Sequence, residues 1–231
     1  MTAPYKAAAL EPEVTGPIVL ALPKGRILAE CGALLAQAGI HPAADYIDED
    51  SGRLRFPTDD PALDVVRVRP FDVATFVAFG AAQIGICGAD VLMEFDYPEL
   101  YAPLDLGIGR CRISVAEPAE SAGGDDPSRW SRVRVATKYP NIASRYFASR
   151  GVQADVVHLN GAMELAPGLG LSRLIVDLVQ TGNTLRANGL VEIEVIAEVT
   201  SRLVVNRTAL KTRPDVIGAW IQRFRDALVR A

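Results

Sequence analysis

Residues 174–190, which read LIVDLVQTGNTLRANGL, constrain the fold more than any other stretch of the chain. The apolar, β-branched run at 174–176 is typical of a buried parallel strand. A short loop with glycine and hydroxyl side chains follows, and the residues after it favour a helix that ends at Gly189. This arrangement directs backbone N–H groups at one point, where a phosphate monoester can bind. We call residues 180–184 the phosphate loop.

Side chains of this stretch also suit a phosphorylated sugar. Asp177 can accept hydrogen bonds from sugar hydroxyls, and Thr181 and Thr184 can donate their own hydroxyls to phosphate. Gly182 allows the backbone to approach a ligand closely. The alternative is an ordinary strand–turn–helix in which the threonines only cap the helix.

Composition excludes several classes of function. The 231 residues carry a net charge of −4, which argues against a general nucleic-acid binder. Three cysteines far apart in the sequence argue against a disulfide framework and fit a reducing cytoplasm. The two histidines lack partners at zinc-ligand spacing. No apolar run approaches the roughly 20 residues of a membrane span. We therefore expect a cytoplasmic protein without a protein-held metal.

The first half of the chain alternates strands and helices, which predicts a parallel sheet covered by helices. A strand at 18–22 is followed by Lys24, Gly25 and Arg26 and then by a helix at 27–38. Ligands of such folds bind at the carboxyl ends of the strands. We therefore favour an anion site at this junction over two solvated charges. Asp72 and Asn141 are predicted to cap two later helices.

Two successive α/β segments predict two lobes with a cleft between them. Residues 1–16 are expected to form a flexible tail. Lobe I is predicted at 17–105 together with 195–231, because the last strand and helix can return to it. Lobe II, at 106–194, carries the phosphate loop.

Eight ordered motifs resemble the ATP phosphoribosyltransferase family, in its short form. They extend over nearly the whole chain and comprise 21–27 (ALPKGRI), 51–53 (SGR), 69–73 (RPFDV), 85–90 (GICGAD), Cys111-Arg112, 136–141 (ATKYPN), 164–167 (ELAP) and the phosphate loop with Asp177. The resemblance implies a two-lobed, periplasmic-binding-protein-like (type II) α/β fold with a central cleft.

The resemblance also implies an activity. Members of the family transfer the 5-phosphoribosyl group of 5-phosphoribosyl-1-pyrophosphate (PRPP) to N1 of ATP and release pyrophosphate, which is the first step of histidine biosynthesis. Such chemistry needs two polyanions held in line and a neutralised leaving group, so Mg²⁺ bound mainly to the substrates is expected. The short form implies a regulatory subunit resembling histidyl-tRNA synthetase, with a homodimer of this chain inside a hetero-oligomer.

Site residues follow from the matching motifs. The catalytic candidates are Arg26 and Arg53, placed on the pyrophosphate side because a guanidinium binds phosphate oxygens bidentately. The remaining assignments are Asp177, Thr181, Gly182, Asn183, Thr184, Leu185 and Glu164 to PRPP, and Lys24, Gly25, Arg69 and Arg112 to ATP or pyrophosphate. Two alternatives stay open. Glu164 is equally explained as a helix-capping acid, and Arg69 and Arg112 as salt-bridge partners of Asp72 and Asp90.

Some positions depart from the family pattern. Gln83 stands where an Asp is usual, Ala74 replaces a Pro, Ala162 replaces a common Ser, and Asn183 occupies a loop position that is often Arg. Loss of that Arg weakens one phosphate contact. Two rival functions remain. One is a non-catalytic two-lobed protein that binds an anion or solute, and the other is a phosphoribosyltransferase acting on a free base.

Overall fold

The computed structural model describes residues 16–48, 51–122 and 131–230. Apart from Gly16, the predicted tail lies outside these ranges. A short 3-10 helix covers Ala44–Ile47. The strands are β1 (Ile18–Pro23), β2 (Arg55–Pro57), β3 (Leu63–Val68), β4 (Ile84–Gly88), β5 (Leu100–Asp105), β6 (Cys111–Pro118), β7 (Arg132–Thr137), β8 (Gln153–His158), β9 (Leu174–Val179), β10 (Leu190–Val199) and β11 (Ser201–Asn206). The helices are α1 (Arg26–Gln37), α2 (Pro70–Ala78), α3 (Ala89–Phe95), α4 (Pro140–Ser149), α5 (Leu165–Gly168), α6 (Asn183–Ala187), α7 (Arg207–Thr212) and α8 (Pro214–Arg230).

The described residues divide into two compact units, which agrees with the predicted two-lobed α/β class. The first unit takes residues 16–86, 98–104 and 203–230, and the second takes 87–97 and 105–202. None of the helices in these ranges is long and apolar enough to cross a membrane.

A six-stranded sheet runs in the order β2-β3-β1-β4-β11-β5. Its central strand β1 is parallel to β3 and to β4, whereas β2 is antiparallel to β3. β1 is almost completely buried, as a continuous apolar strand between helices should be. In the first unit, α8 buries Ile217, Trp220 and Phe224, as its helical periodicity requires.

The second sheet has five strands, ordered β10-β6-β9-β7-β8. β7 is parallel to β8 and β9, but β6 is antiparallel to both β9 and β10. The strand that precedes the phosphate loop therefore has one parallel and one antiparallel neighbour, where the sequence predicted only parallel pairing. Because β6 is antiparallel to β9, Arg112 of the Cys111-Arg112 motif lies opposite Val179, at the end of β9.

Two predicted helix caps are wrong. α2 begins at Pro70 with Arg69 at its N-cap, so Asp72 lies inside the first turn. α4 begins at Pro140 with Tyr139 at its N-cap, and Asn141 is likewise inside the helix. In both cases proline takes the first helical position, where its missing N–H costs no hydrogen bond.

Candidate functional site

The phosphate loop and two carboxylates line one cavity of about 190 Å³ in the second unit. The structure therefore brings together all the residues that the sequence assigned to PRPP, namely Glu164, Asp177, Thr181, Gly182, Asn183, Thr184 and Leu185. Gln180 and the last two residues of β9 complete its lining. The cavity lies at the carboxyl end of a parallel-paired strand, where α/β sheets bind ligands.

The loop is shaped by Gly182, which lies in the left-handed region with φ of 73° at the N-cap of α6. The Asn183 N–H donates a long hydrogen bond of 3.4 Å to the Thr181 hydroxyl oxygen, so this threonine contributes a weak local cap. Leu185 is buried in the core of the second unit and anchors α6 beneath the loop. Because α6 has five residues, an anion at the loop would be bound by individual N–H groups rather than by a long helix dipole.

Asp177 is the acid at the cavity with the most perturbed ionisation. Burial raises the pKa of its carboxyl to about 6, and the negative charges of Glu164 and Asp90 also raise it. The Leu178 N–H, which donates to Asp177 Oδ1 over 2.8 Å, and the positive charge of Lys138 lower this pKa. Lys138 follows β7, whose residue Thr137 pairs with Val176 in β9, so Lys138 and Asp177 lie next to each other at the same sheet edge. Sequence reasoning missed Lys138 as a neighbour of the site, although it lies inside a matching motif.

Glu164 occupies the N-cap position of α5, but no capping hydrogen bond from its side chain is present in the described structure. It lines the cavity together with Asp177. Two residues earlier, Ala162 adopts a left-handed conformation with φ of 55°. A residue with a Cβ atom is strained there, so the departure at Ala162 lies in a locally unusual turn beside the site.

Arg112 is held by a carboxylate that the sequence did not indicate. Its Nε and Nη2 donate to the two carboxylate oxygens of Glu192, over 2.6 and 2.5 Å. Nη1 donates to the carbonyl oxygen of Gln180, 3.2 Å away, at the start of the phosphate loop. The alternative that paired this arginine with Asp72 or Asp90 is wrong, because Glu192 on β10 is its partner and Asp90 bonds elsewhere.

Arg186 is a second arginine on the loop, and sequence reasoning missed it. Its Nη2 donates to the Thr181 carbonyl oxygen over 3.2 Å and also to the side-chain oxygen of Asn183. A guanidinium is thus present beside Asn183. The spacing of three residues on one helical turn was the signal that could have revealed this pair.

The remaining assigned residues belong to the first unit. Lys24, Gly25 and Arg69 lie side by side at the carboxyl edge of the parallel strands β1 and β3, and the Lys24 N–H donates to the Val68 carbonyl oxygen over 2.8 Å. Arg26 begins α1 and forms an exposed 2.8 Å ion pair with Glu30. Arg53 lies just before β2.

The Arg53 guanidinium is restrained by its own segment. Nε donates to the Arg55 carbonyl oxygen over 3.0 Å, and Nη1 lies 3.4 Å from Asp45 Oδ2. Behind this segment is the buried Arg67, whose Nη1 donates to the carbonyl oxygens of Tyr46 and Asp48. Sequence reasoning missed Arg67, although it lies on the same face of β3 as the buried Leu63 and Val65.

Two buried acids organise the start of α4, next to the cavity edge. The Tyr139 hydroxyl donates to Asp90 Oδ2 over 2.8 Å. Burial raises the pKa of Asp90, and the hydrogen bond from Tyr139 partly offsets this rise. Glu94 lies at the N-terminus of α4, where its two carboxylate oxygens accept from the N–H groups of Asn141 and Ile142, over 2.9 and 3.0 Å.

The described residues contain no cluster of three or more His, Cys, Asp or Glu side chains that could hold a metal ion. Two carboxylates, those of Asp177 and Glu164, do line the cavity. This donor set suits Mg²⁺, which binds one or two carboxylates when substrate phosphates and water supply its other ligands. It does not suit a cage formed by protein ligands alone.

Comparison with known proteins identifies relatives along almost the full chain. The sequence profile of the family described as HisG, ATP phosphoribosyltransferase, matches residues 69–226. A protein named ATP phosphoribosyltransferase from Paramagnetospirillum magneticum is 66% identical over 210 residues, which cover 91% of this chain and 96% of that protein. Another of the same name, from Gluconobacter oxydans, is 67% identical over 213 residues, covering 92% of this chain and 88% of that protein.

Solved structures agree with this relationship. A chain of the ATP phosphoribosyl transferase (HisG:HisZ) complex from Thermotoga maritima superimposes with a TM-score of 0.76 at 31% identity, covering 93% of this chain and 100% of that one. A putative periplasmic sulfonate-binding protein, SsuA from Methylobacillus flagellatus, gives a TM-score of 0.56 at 12% identity, with coverage of 91% and 67%. The second likeness shows the fold alone, and it confirms the periplasmic-binding-protein-like, type II class.

Proposed function

The chain belongs to the ATP phosphoribosyltransferase family, and we propose that the cavity at its phosphate loop is where the enzyme binds the phosphoribosyl group. The enzyme transfers the 5-phosphoribosyl group of PRPP to N1 of ATP, with release of pyrophosphate, as the first step of histidine biosynthesis. The observation that carries the site proposal is the convergence of Asp177, Glu164 and the phosphate loop on one cavity.

Within this cavity the loop N–H groups and the Thr181 and Thr184 hydroxyls would bind the 5-phosphate, because both lie at its lining. Asp177, in its ionised form, would accept hydrogen bonds from the ribose hydroxyls. Glu164, which shares the cavity, would bind either a ribose hydroxyl or Mg²⁺ through water. Held in this way, the sugar carbon is presented to the adenine nitrogen in a fixed orientation, which lowers the entropic part of the barrier.

Negative charge develops on pyrophosphate as the bond from the sugar carbon breaks. We assign its neutralisation to Arg26 and Arg53, with Lys24, Gly25 and Arg69 at the β1 and β3 edge contacting phosphates of pyrophosphate or ATP. Mg²⁺ bound to the substrate phosphates supplies further charge neutralisation when present. The chemistry needs no nucleophilic side chain, because the attacking atom belongs to ATP.

We further propose a protein partner and a cellular location for this chain. The likeness to a chain of the HisG:HisZ complex supports a regulatory subunit resembling histidyl-tRNA synthetase. We propose that a homodimer of this chain binds that subunit in a hetero-oligomer in the cytoplasm. The structural likeness to the sulfonate-binding protein comes with only 12% identity, so it supports a shared fold and no shared function. The non-catalytic binding function is therefore not favoured.

The test is to mix the purified protein with ATP, PRPP and Mg²⁺ and to follow pyrophosphate release. We expect release to require all three components and to yield phosphoribosyl-ATP. Replacing ATP by free adenine tests the rival reaction on a free base and should abolish release. Binding of PRPP without any turnover, alone or with the regulatory subunit, would favour the solute-binding alternative.

A further inference from the structure

Two guanidinium groups hold consecutive carbonyl groups at the start of the phosphate loop. Arg112 Nη1 donates to the carbonyl oxygen of Gln180, and Arg186 Nη2 donates to that of Thr181, each over 3.2 Å. One arginine comes from β6 and the other from α6, so the loop is bound by side chains from two separate elements.

Holding a carbonyl fixes the direction of the next N–H group. In a trans peptide the carbonyl oxygen and the following N–H point in opposite directions within one plane. The Gln180 carbonyl therefore sets the direction of the Thr181 N–H, and the Thr181 carbonyl sets that of the Gly182 N–H. Both N–H groups point away from the guanidinium that holds the carbonyl of the same peptide. Thr181 and Gly182 line the cavity, so these are donors that an anion there can use.

Arg112 is itself rigidly held. Glu192 accepts both Nε and Nη2, and the Ser114 hydroxyl donates to Glu192 Oε1 over 2.7 Å. A bidentate arginine–carboxylate pair has a narrow range of geometries. This pairing also offsets the positive charge of Arg112 with an adjacent negative charge. The group is thus well placed to fix the backbone and poorly suited to attract a polyanion.

We propose that Arg112 and Arg186 are positioning residues that orient the Thr181 and Gly182 N–H groups toward the phosphate of PRPP, with Glu192 fixing Arg112. This inference rests on the proposed function of the cavity and replaces the assignment of Arg112 to direct ATP or pyrophosphate binding. Free PRPP thus finds its donors already oriented, and the loop avoids the entropic cost of ordering on binding.

The test compares dissociation constants for PRPP and for ATP, measured separately by calorimetry with Mg²⁺. The variants are Arg112→Gln, Glu192→Gln and Arg186→Gln, with Arg132→Gln as the control. Arg132 also forms a bidentate pair across two strands of the same sheet, with Asp155, and it lies at the start of β7, whereas the loop follows the end of the parallel strand β9. We expect PRPP affinity to fall about ten-fold in the first three variants, the value of one oriented hydrogen bond to a charged group, and to stay unchanged in the control. ATP affinity should change little in all four.

Glu192→Gln separates positioning from direct contact by the sign of its effect. If Arg112 touched the substrate, removing the neighbouring negative charge would tighten PRPP or ATP binding. If Arg112 acts through the loop, weakening its anchor loosens PRPP binding. Tighter or unchanged PRPP binding in Glu192→Gln, or equal losses for PRPP and ATP in Arg112→Gln, would overturn the proposal. Failure of the wild-type protein to bind PRPP would instead reject the proposed function of the cavity.

A second measurement covers variants that fold poorly. Arg186 is exposed on a surface helix, so Arg186→Gln should fold normally. In the protein without substrate, amide hydrogen exchange at Thr181 and Gly182 should be faster in this variant than in the wild type, because the restraint on the Thr181 carbonyl is lost. Wild-type exchange together with wild-type PRPP affinity in Arg186→Gln would remove Arg186 from the positioning pair.

Discussion

The guanidinium of Arg67 donates a hydrogen bond to the carbonyl oxygen of Arg53, 3.2 Å from Nη2. Arg67 is only 1% exposed, and its other bonds go to the Tyr46 and Asp48 carbonyl oxygens, over 2.8 and 2.7 Å. The Phe56 ring lies beneath both arginines, 5.3 Å from the Arg67 guanidinium carbon and 5.5 Å from that of Arg53. A buried cation thus fixes the backbone on both sides of the segment that presents a candidate catalytic arginine.

Replacing Arg67 with Met should lower the free energy of unfolding by about 3 kcal/mol, because three main-chain carbonyl groups lose a charged hydrogen-bond donor. Urea unfolding followed by circular dichroism measures this loss. The matched control is Arg55→Met, whose side chain is 61% exposed and forms an ion pair with Asp64, and which should cost less than about 1 kcal/mol. Equal losses in the two variants would show that the buried bonds of Arg67 add no special stability.

Arg26→Ala and Arg53→Ala should each lower kcat more than they raise KM, because both arginines are proposed to meet charge that grows as pyrophosphate departs. Steady-state kinetics with PRPP and ATP varied in turn gives the two constants. Arg55→Ala, an exposed arginine two residues from Arg53, is the control and should leave both unchanged. A rise in KM alone would restrict Arg26 and Arg53 to ground-state binding.

Thr184→Val should weaken PRPP binding by about 1.5–3 kcal/mol, the range for a hydrogen bond to a charged group, and ATP binding much less. The side chain is exposed at the cavity on the first turn of α6, so the change should not disturb the core. Calorimetry with each ligand checks it, and Thr208→Val, an exposed helix threonine in the first unit, serves as the control. Equal losses for PRPP and ATP would place the phosphoribosyl site elsewhere.

The pH dependence of PRPP use should follow Asp177. Because burial raises the pKa of its carboxyl to about 6, the free enzyme loses the ionised acceptor as the pH falls through this value. We therefore expect kcat/KM for PRPP to decline below a pH of about 6. The second ionisation of a phosphate monoester falls in the same range, with a pKa of about 6, so one profile cannot separate enzyme from substrate.

The variant Glu164→Gln distinguishes the ionisation of Asp177 from that of the PRPP phosphate. The charge of Glu164 raises the pKa of Asp177, so removing it should move the acid limb of the profile to lower pH, whereas the substrate pKa stays fixed. Profiles of kcat/KM for the wild type and the variant, recorded in the same buffers, provide the comparison. An acid limb at the same pH in both would assign it to PRPP rather than to Asp177.

Histidine should inhibit the enzyme only when the proposed regulatory subunit is bound. Feedback requires a second binding site that is coupled to the active site. In the arrangement supported by the likeness to the HisG:HisZ complex, we place that site on the assembly with the partner. Activity is titrated with histidine, with and without a histidyl-tRNA-synthetase-like subunit from the same organism. Strong inhibition of the isolated chain by histidine would contradict the prediction that feedback requires the regulatory subunit.

The sequence predicted those parts of the molecule that local patterns determine. β1 begins at the predicted residue and ends one residue later, and β9 begins at the predicted residue but runs three residues further, because apolar, β-branched runs define such strands. Six of the seven residues assigned to PRPP lie within 177–185, so local sequence alone brings them to one cavity, and Glu164 joins them from the N-cap of α5. The two wrong helix caps had their signal in Pro70 and Pro140, which commonly begin helices.

Interactions over long sequence separations were beyond reach. Arg112 and Glu192 are 80 residues apart, and only the pairing of β6 with β10 brings them together. Alternation along β3 does place Arg67 on the buried face, but its partners are main-chain carbonyls, which carry no residue-specific signal. The sequence therefore does not distinguish a charged residue that is bound by main-chain carbonyls from one that is exposed at the surface.

Glu94 at the start of α4 bears on how the enzyme discriminates among small anions. β7 and β9 are neighbouring parallel strands, followed by α4 and α6 respectively. In each case a loop leads from the strand into the helix, an arrangement that can bind phosphate. At α4, the Asn141 and Ile142 N–H groups are already bound by a carboxylate from the same chain. Any dissolved anion must displace this tethered competitor, whose effective concentration is in the millimolar range or above. Glu94 therefore makes this junction a weaker site for inorganic phosphate and nucleotides than the phosphate loop one strand away, where we propose that PRPP binds.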